Sequence, residues 1–265
     1  MAIPEPIPYG GAEWRHLVMA SPKLLVLIKG SPDPDALATA WLLSWLWERE
    51  GGAARMLSLS EPSLEQNRLL IRELDIPVNM GEEALPQAIG WADGYAVVDQ
   101  PSVFMEGVTG VLPCQVHVDH HSALEEPYPV GLRIRDGQSG ASGSLLAEWG
   151  RSAWEAVDDP LFRRIATALT FGILTDTDTL KTATGRDLAV LDALDRVCLH
   201  EQLLALMRLE VDAELLPLLG AAWRLRKRLK NWTLFPAGLL PEDRRDSIAL
   251  MADRFLERQR NPHVA

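Results

Sequence analysis

Four short apolar runs decide the class of fold. They lie at 24–29 (LLVLIK), 53–59 (AARMLSL), 94–98 (GYAVV) and 114–118 (CQVHV), each of strand length and each with a glycine or an aspartate at one end. After the first run the chain reads Ser31-Pro32-Asp33-Pro34-Asp35 and continues as a helix to about Glu50. Asp33 suits the N-cap, Pro34 the first helical position and Asp35 the positive end of the helix dipole, with Gly51-Gly52 closing the element. A second helix covers about 62–74, where Leu64, Leu69, Leu70 and Leu74 fall near helical spacing. Continuous apolar strands alternating with helices imply an α/β fold, a mainly parallel sheet with helices on both faces. From about residue 141 the pattern turns helical, over 143–157, 160–174, 185–198, 200–209, 211–230 and 241–260.

Charge and cysteine content narrow the function classes. The formal net charge of −11 argues against a protein that coats long nucleic acid, which needs a broad basic surface. It leaves room for a small phosphorylated ligand in a pocket whose cations supply the positive charge. Cys114 and Cys198 form no CxxC pair and read as reduced, buried thiols of a cytoplasmic protein. The first residues lack the pattern of a signal peptide, and no apolar run approaches the roughly 20 residues that span a bilayer, so no membrane partner is expected.

In open α/β sheets, ligands sit beyond the carboxyl ends of the strands. Asp33 and Asp35, Asp99, and Asp119-His120-His121 each fall just past a strand run and so share one edge. Taken singly they have ordinary readings: Asp33 and Asp35 a helix cap, Asp99 turn chemistry before Gln100-Pro101, Asp176 a loop residue after a helix. The histidines are harder to explain by packing, because three of the chain's six (His117, His120 and His121) lie within five residues. Carboxylates gathered on one edge repel each other unless cations lie between them. Oxygen ligands with one or two imidazoles suit Mn²⁺ or Mg²⁺, and a shared carboxylate sets two ions roughly 3.5–4 Å apart, the spacing used for displacement at phosphorus.

At these residues the sequence resembles the DHH phosphoesterase family, named for the triplet found here as Asp119-His120-His121. Pro32-Asp33-Pro34-Asp35-Ala36 is similar to the family's first motif, Val97-Val98-Asp99 to its second, Val118-Asp119-His120-His121 to its third and Gly172-Ile173-Leu174-Thr175-Asp176-Thr177 to its fourth. The motifs keep their order across about 22–200. Arg135 followed by Ser139-Gly140-Ala141-Ser142 is similar to a segment after the third motif in one bacterial and archaeal branch. The resemblance implies two Mn²⁺ ions (Mg²⁺ the alternative), one on Asp33, the other mainly on Asp35, His120 and Asp176, with Asp99 bridging. It implies that Asp119 orients the histidine pair, that His121 contacts the scissile phosphate, and that a metal-activated water attacks phosphorus in line. Arg135 reads equally as a phosphate ligand or as a surface arginine near Asp136.

Two departures shape the expectation. Lys29 stands where many members place a metal-binding histidine; a protonated lysine cannot ligate, so it is assigned to substrate phosphate or to a carboxylate partner. No Gly-Gly-Gly-His substrate loop is present. The expected organisation is therefore an N-terminal extension (1–21), a catalytic domain (22–200) and a helical segment (201–265) leading toward a second domain that this chain lacks. The basic run Arg224, Arg226, Lys227, Arg228 and Lys230 reads as a solvated helix, and Trp41 and Trp45 as packing onto the sheet. The implied substrate class is small nucleotides or short single-stranded oligonucleotides, as in the nanoRNase and pAp phosphatase branch; a homodimer is left open. A cyclic-dinucleotide phosphodiesterase, a single-strand exonuclease, an inorganic pyrophosphatase and a non-catalytic nucleotide-binding module are the competitors.

Overall fold

The computed structural model describes residues 11–122, 127–208, 215–241 and 247–259. Helix α1 (Gly11–Ala20) leads into β1 (Lys23–Ile28), α2 (Pro34–Arg49), β2 (Ala53–Ser58), α3 (Glu65–Leu74) and β3 (Val78–Met80). A 3-10 turn (Glu82–Ala84) and α4 (Leu85–Trp91) then bring the chain to β4 (Gly94–Val98), β5 (Cys114–Asp119) and β6 (Val130–Arg135). The remainder is α5 (Ser142–Trp149), α6 (Arg151–Trp154), α7 (Pro160–Asp176), α8 (Gly185–Asp195), α9 (His200–Met207), α10 (Leu215–Arg224), β7 (Lys227–Leu229), β8 (Trp232–Leu234) and α11 (Ser247–Gln259).

The first six strands form one sheet in the order β3-β2-β1-β4-β5-β6, and every pair is parallel. The four strands read from sequence are all present. β1, β4 and β5 are central and buried on both faces, which is why they read as continuous apolar runs. The two edge strands carry no such signal: β3 has three residues, and β6 (VGLRIR) alternates between partly covered and exposed positions. Val26, Ile28, Val98, Val116 and Val118 pack under α2, α5 and α7, whereas Leu25, Leu27 and Val97 meet α4 and the loop residues Val103, Met105 and Val108. Helices thus cover both faces, thickly on one and thinly on the other.

The crossing of α2 and α7 is close because Gly172 has no side chain. A Cβ there would stand 2.9 Å from the Asp35 Cα and 3.0 Å from the Pro34 carbonyl. That approach carries the end of α7 to the first turn of α2.

Three sequence expectations change. The helix read over 143–157 breaks at Gly150 into α5 and α6. The helix read over 211–230 stops at Arg224, and Lys227–Leu229 pairs antiparallel with Trp232–Leu234. Lys230 turns this hairpin with a left-handed φ of 52°, which a continuing helix could not contain. The hairpin is held by a small cluster in which Phe235 stacks on Phe255 (4.0 Å) and Trp223 lies 5.7 Å from Phe235. The basic residues Arg226, Lys227, Arg228 and Lys230 are therefore exposed along a hairpin rather than around a helix. Residues 211–214 of the helix expected over 211–230, residues 242–246 and 260 of the one expected over 241–260, and the terminal 261–265 lie outside the described residues. No helix among the described residues is long and apolar enough to cross a membrane.

Residues 11–20 of the expected N-terminal extension pack on the domain. Trp14 is fully buried and meets Trp47 and Trp149 edge-on, with ring centroids 5.0 and 5.1 Å apart. Trp14→Ala is expected to cost about 3–5 kcal/mol, the range for emptying a buried aromatic site. Urea denaturation monitored by circular dichroism measures it, and a loss within the range of a surface substitution would show α1 to be dispensable.

Candidate metal centre

The order of the strands places the site. β1 and β4 are neighbours, but their chains leave toward opposite halves of the sheet, which opens a crevice beyond their carboxyl ends. Asp33 and Asp35 follow β1, Asp99 follows β4, and His120 and His121 follow β5. Asp176 arrives from the last turn of α7.

Asp33 is the N-cap of α2, its Oδ1 accepting from the Ala36 N–H at 2.8 Å. Two residues on, Asp35 is fully buried and accepts from two backbone amides at the start of α5, Ser142 at 2.7 Å and Gly143 at 3.0 Å. Asp99 takes a left-handed φ of 53°, and its Oδ1 accepts from the Ser142 hydroxyl at 2.9 Å. His120 Nδ1 lies 3.3 Å from the Ser139 carbonyl, which can only accept, so Nδ1 carries the proton. The unprotonated Nε2 then lies 3.5 Å from Asp99 Oδ1 and 3.4 Å from Asp176 Oδ2.

Ligand atoms of Asp35, Asp99, His120 and Asp176 all lie within 4.8 Å of one another, and a second group joins Asp99, His120 and His121. Asp99 belongs to both. Asp33 is in neither group, although its charge is felt by Asp35 and Asp176. Three carboxylates and an imidazole nitrogen make a donor set that fits a hard or borderline divalent cation.

The electrostatics agree with that fit. Burial, then the Asp99 charge, pushes the Asp33 carboxyl up to about 7. Burial, then Asp35, Asp33, Asp99 and Asp187, pushes Asp176 up to about 10. Asp35 is raised well above the carboxylate range by burial and by Asp99 and Asp33, with the Ser142 and Gly143 amides opposing. Asp99 is raised by burial, against the pull of His120 and the Ser142 hydroxyl. Raised values favour the protonated forms of these groups, and a cation bound among them would compete with those protons.

Around the cluster, Asp119 is fully buried and joins two neighbours. Its Oδ1 accepts from His121 Nδ1 at 2.7 Å and its Oδ2 from the Arg135 guanidinium at 2.6 Å. His121 is 46% exposed and presents a half-open imidazole on a fixed carboxylate. Lys29 is exposed just past β1 and forms none of the ion pairs found among the described residues. His117 lies beneath the site rather than in it. Its Nε2 donates to the Gln100 carbonyl (2.8 Å) and its Nδ1 accepts from Arg133 (3.3 Å); burial lowers its pKa and keeps it neutral. Ser142 is marked in the sequence only as the last residue of Ser139-Gly140-Ala141-Ser142. Asp187 was missed, although Thr184-Gly-Arg-Asp187 has the spacing of a capping box.

No family model matches the chain. A protein of Methanocaldococcus jannaschii, described as uncharacterized, is 28% identical over 169 residues, covering 62% of this chain and 32% of its own length. The chain thus spans about a third of that relative. An exopolyphosphatase-related protein from Bacteroides fragilis superposes with a TM-score of 0.66 at 13% identity, over 87% of this chain and 69% of that one, and shares the fold. RecJ from Thermus thermophilus, solved in complex with Mn²⁺, covers 96% of this chain and 46% of its own at 16% identity with a TM-score of 0.46, too low to argue from.

Carboxyls raised in the folded state favour folding most at low pH and lose that contribution as pH rises through their folded values. Metal-free protein is therefore expected to melt at progressively lower temperature as pH rises from the unfolded value of 3.8 through about 7 and toward about 10. Mn²⁺ should reverse the loss, most at the alkaline end. Thermal melts in EDTA and in MnCl₂ check both; a metal-free melting temperature that climbs from pH 6 to 9 would contradict the charge reading.

Proposed function

We propose that the chain is a metal-dependent phosphoesterase. Its substrates are the phosphodiester or phosphomonoester bonds of small nucleotides or short oligonucleotides, and its metal is Mn²⁺, two ions per site, with Mg²⁺ the alternative. The observation that carries this reading is the convergence of Asp35, Asp99, Asp176 and His120 on one point at the strand ends. The ordered motifs that resemble the DHH phosphoesterases support the same reaction class.

Asp35, His120 and Asp176 hold one ion in this reading, and Asp33 the other. Asp99, present in both groups of converging ligand atoms, serves as the shared carboxylate. Bound there, divalent cations supply charge neutralisation at the phosphoryl oxygens and a lowered pKa for the attacking water. The chain's own groups do the rest. Asp119 fixes the His121 ring through Nδ1, which leaves Nε2 to stabilise phosphate charge or protonate the leaving oxygen. Arg135 has one nitrogen on Asp119 and a buried, unbonded Nε, so its service to phosphate runs through the remainder of its fork. Lys29, exposed at the same edge and in none of the ion pairs found among the described residues, would attract an anionic substrate.

A non-catalytic nucleotide-binding module is the competing class. It has no need for four converging ligands, three of them carboxyls raised by burial. The deciding assay is hydrolysis of bis-p-nitrophenyl phosphate with MnCl₂. Asp99→Asn is expected to lower the rate by more than the roughly 100-fold that mutating a residue outside the ligand shell costs. Absence of Mn²⁺-dependent turnover in the parent, on this probe and on short oligoribonucleotides, defeats the enzyme reading.

A further inference from the structure

We propose that Asp187, on the first turn of α8, is a positioning residue that sets the geometry of the metal centre by holding the Ser139–Gly143 loop. The proposal rests on the metal reading above.

That loop touches three of the four converging ligands. The Ser139 carbonyl accepts a hydrogen bond from His120 Nδ1, the Ser142 and Gly143 amides donate to Asp35, and the Ser142 hydroxyl donates to Asp99. A shift of the loop therefore turns His120 and releases two carboxylates at once.

α8 grips the loop. Asp187 is fully buried, and its Oδ2 accepts from the Gly140 amide at 3.1 Å while its Oδ1 lies 3.5 Å from the Ser139 hydroxyl. The neighbouring Arg186, also buried, donates to Asp136 at 2.5 Å, just before the loop, and to Glu148 at 2.8 Å, on α5 just after it. Gly140 is trapped between Asp187 and the residue after Asp176: a Cβ there would stand 2.5 Å from Asp187 Oδ2 and 2.7 Å from Thr177 Cγ2. The clamp thus reaches the fourth ligand's neighbour as well.

The ordinary role of Asp187 is the capping box, in which its Oδ2 accepts from the Thr184 amide and hydroxyl, both at 2.7 Å. A cap needs nothing more. The bond to Gly140, 47 residues away in sequence, is what a cap does not require.

Three variants separate the two roles, and one readout needs no metal. In metal-free protein, ¹⁵N spectra of the His120 ring (assigned by its loss in His120→Asn) should show the Nδ1–H tautomer, and Asp187→Ala should mix the tautomers. Mn²⁺ affinity, followed by the electron paramagnetic resonance of free Mn²⁺, should weaken about 10–100-fold in Asp187→Ala. Asp187→Asn, which keeps an acceptor for Gly140, should recover most of it. Thr184→Ala should lower the melting temperature as a lost cap does, with affinity near the parent's. An unchanged tautomer and affinity in Asp187→Ala, or an equal affinity loss in Thr184→Ala, overturns the proposal. If Asp187→Ala does not fold, Gly140→Ala replaces it; loss of affinity there supports the clamp, and parent-like affinity overturns it. A parent that binds no Mn²⁺ sinks the metal reading instead, and the tautomer comparison still decides the clamp.

Discussion

The buried carboxylate of Asp35 is the constraint on which this corner of the molecule turns. A carboxylate without water is costly unless its oxygens find donors, and here both oxygens accept from backbone amides at the start of α5. That requirement couples α2 to α5, and through the Ser142 hydroxyl it couples both to Asp99 at the end of β4. Two glycines make the approach possible. Gly172 lets α7 pass over the Asp35 backbone, and a Cβ on Gly143 would stand 2.8 Å from Asp35 Oδ1. The amides lower the cost of one carboxylate but do not offset four: Asp33, Asp35, Asp99 and Asp176 all remain raised. The fold thus gathers four raised carboxyls in this corner, an arrangement that fits a divalent cation.

How much of this was legible follows from what each part leaves in the sequence. The central strands were plain because burial on both faces demands an unbroken apolar run, and the N-cap at Asp33 because its chemistry is local. β3 and β6 were not, since an edge strand keeps one side open and loses that signature. The hairpin at 227–234 was hidden by a sequence with ordinary helix propensity. Its pairing is decided by the stacking of Phe235 on Phe255 from α11, which no local pattern encodes. Asp33, Asp35, Asp99 and His120 stood out because each lies just past a strand end, and Asp176 through its motif. Their supports did not: Gly140 and Asp187 meet across 47 residues, and the pairing of Asp119 with Arg135 depends on β5 and β6 lying side by side.

The histidine pair shows why adjacency in sequence does not mean equivalence in role. The two rings lie 4.6 Å apart, centroid to centroid, yet different partners hold them. His120 is turned by the Ser139 carbonyl, so its unprotonated nitrogen meets Asp99 and Asp176. His121 is turned by Asp119, so its Nδ1 is spent on a carboxylate and the ring stays half open to solvent. One ring thereby turns its unprotonated nitrogen toward the carboxylates, and the other is held by its bond to Asp119.

The end of α7 carries the same logic in the backbone. Asp178, Thr179 and Leu180 all take left-handed φ values, 47°, 55° and 71°, immediately after the helix that ends at Asp176. For non-glycine residues that conformation costs roughly 1–2 kcal/mol each, so three in succession need a compensating anchor. The anchor is Thr177. It is fully buried, its hydroxyl donates back to the Ile173 carbonyl and accepts from the Leu180 amide, and its carbonyl accepts from the Thr182 amide. The turn reverses the chain so that Asp187, bonded to the Thr184 amide, reaches the Ser139–Gly143 loop. A relaxed exit from α7 would carry α8 elsewhere and leave His120, Asp35 and Asp99 without the loop that orients them. Backbone strain beside Asp176 is therefore part of how Asp176 and the contacts that hold Asp35, Asp99 and His120 arrive on one short stretch of chain.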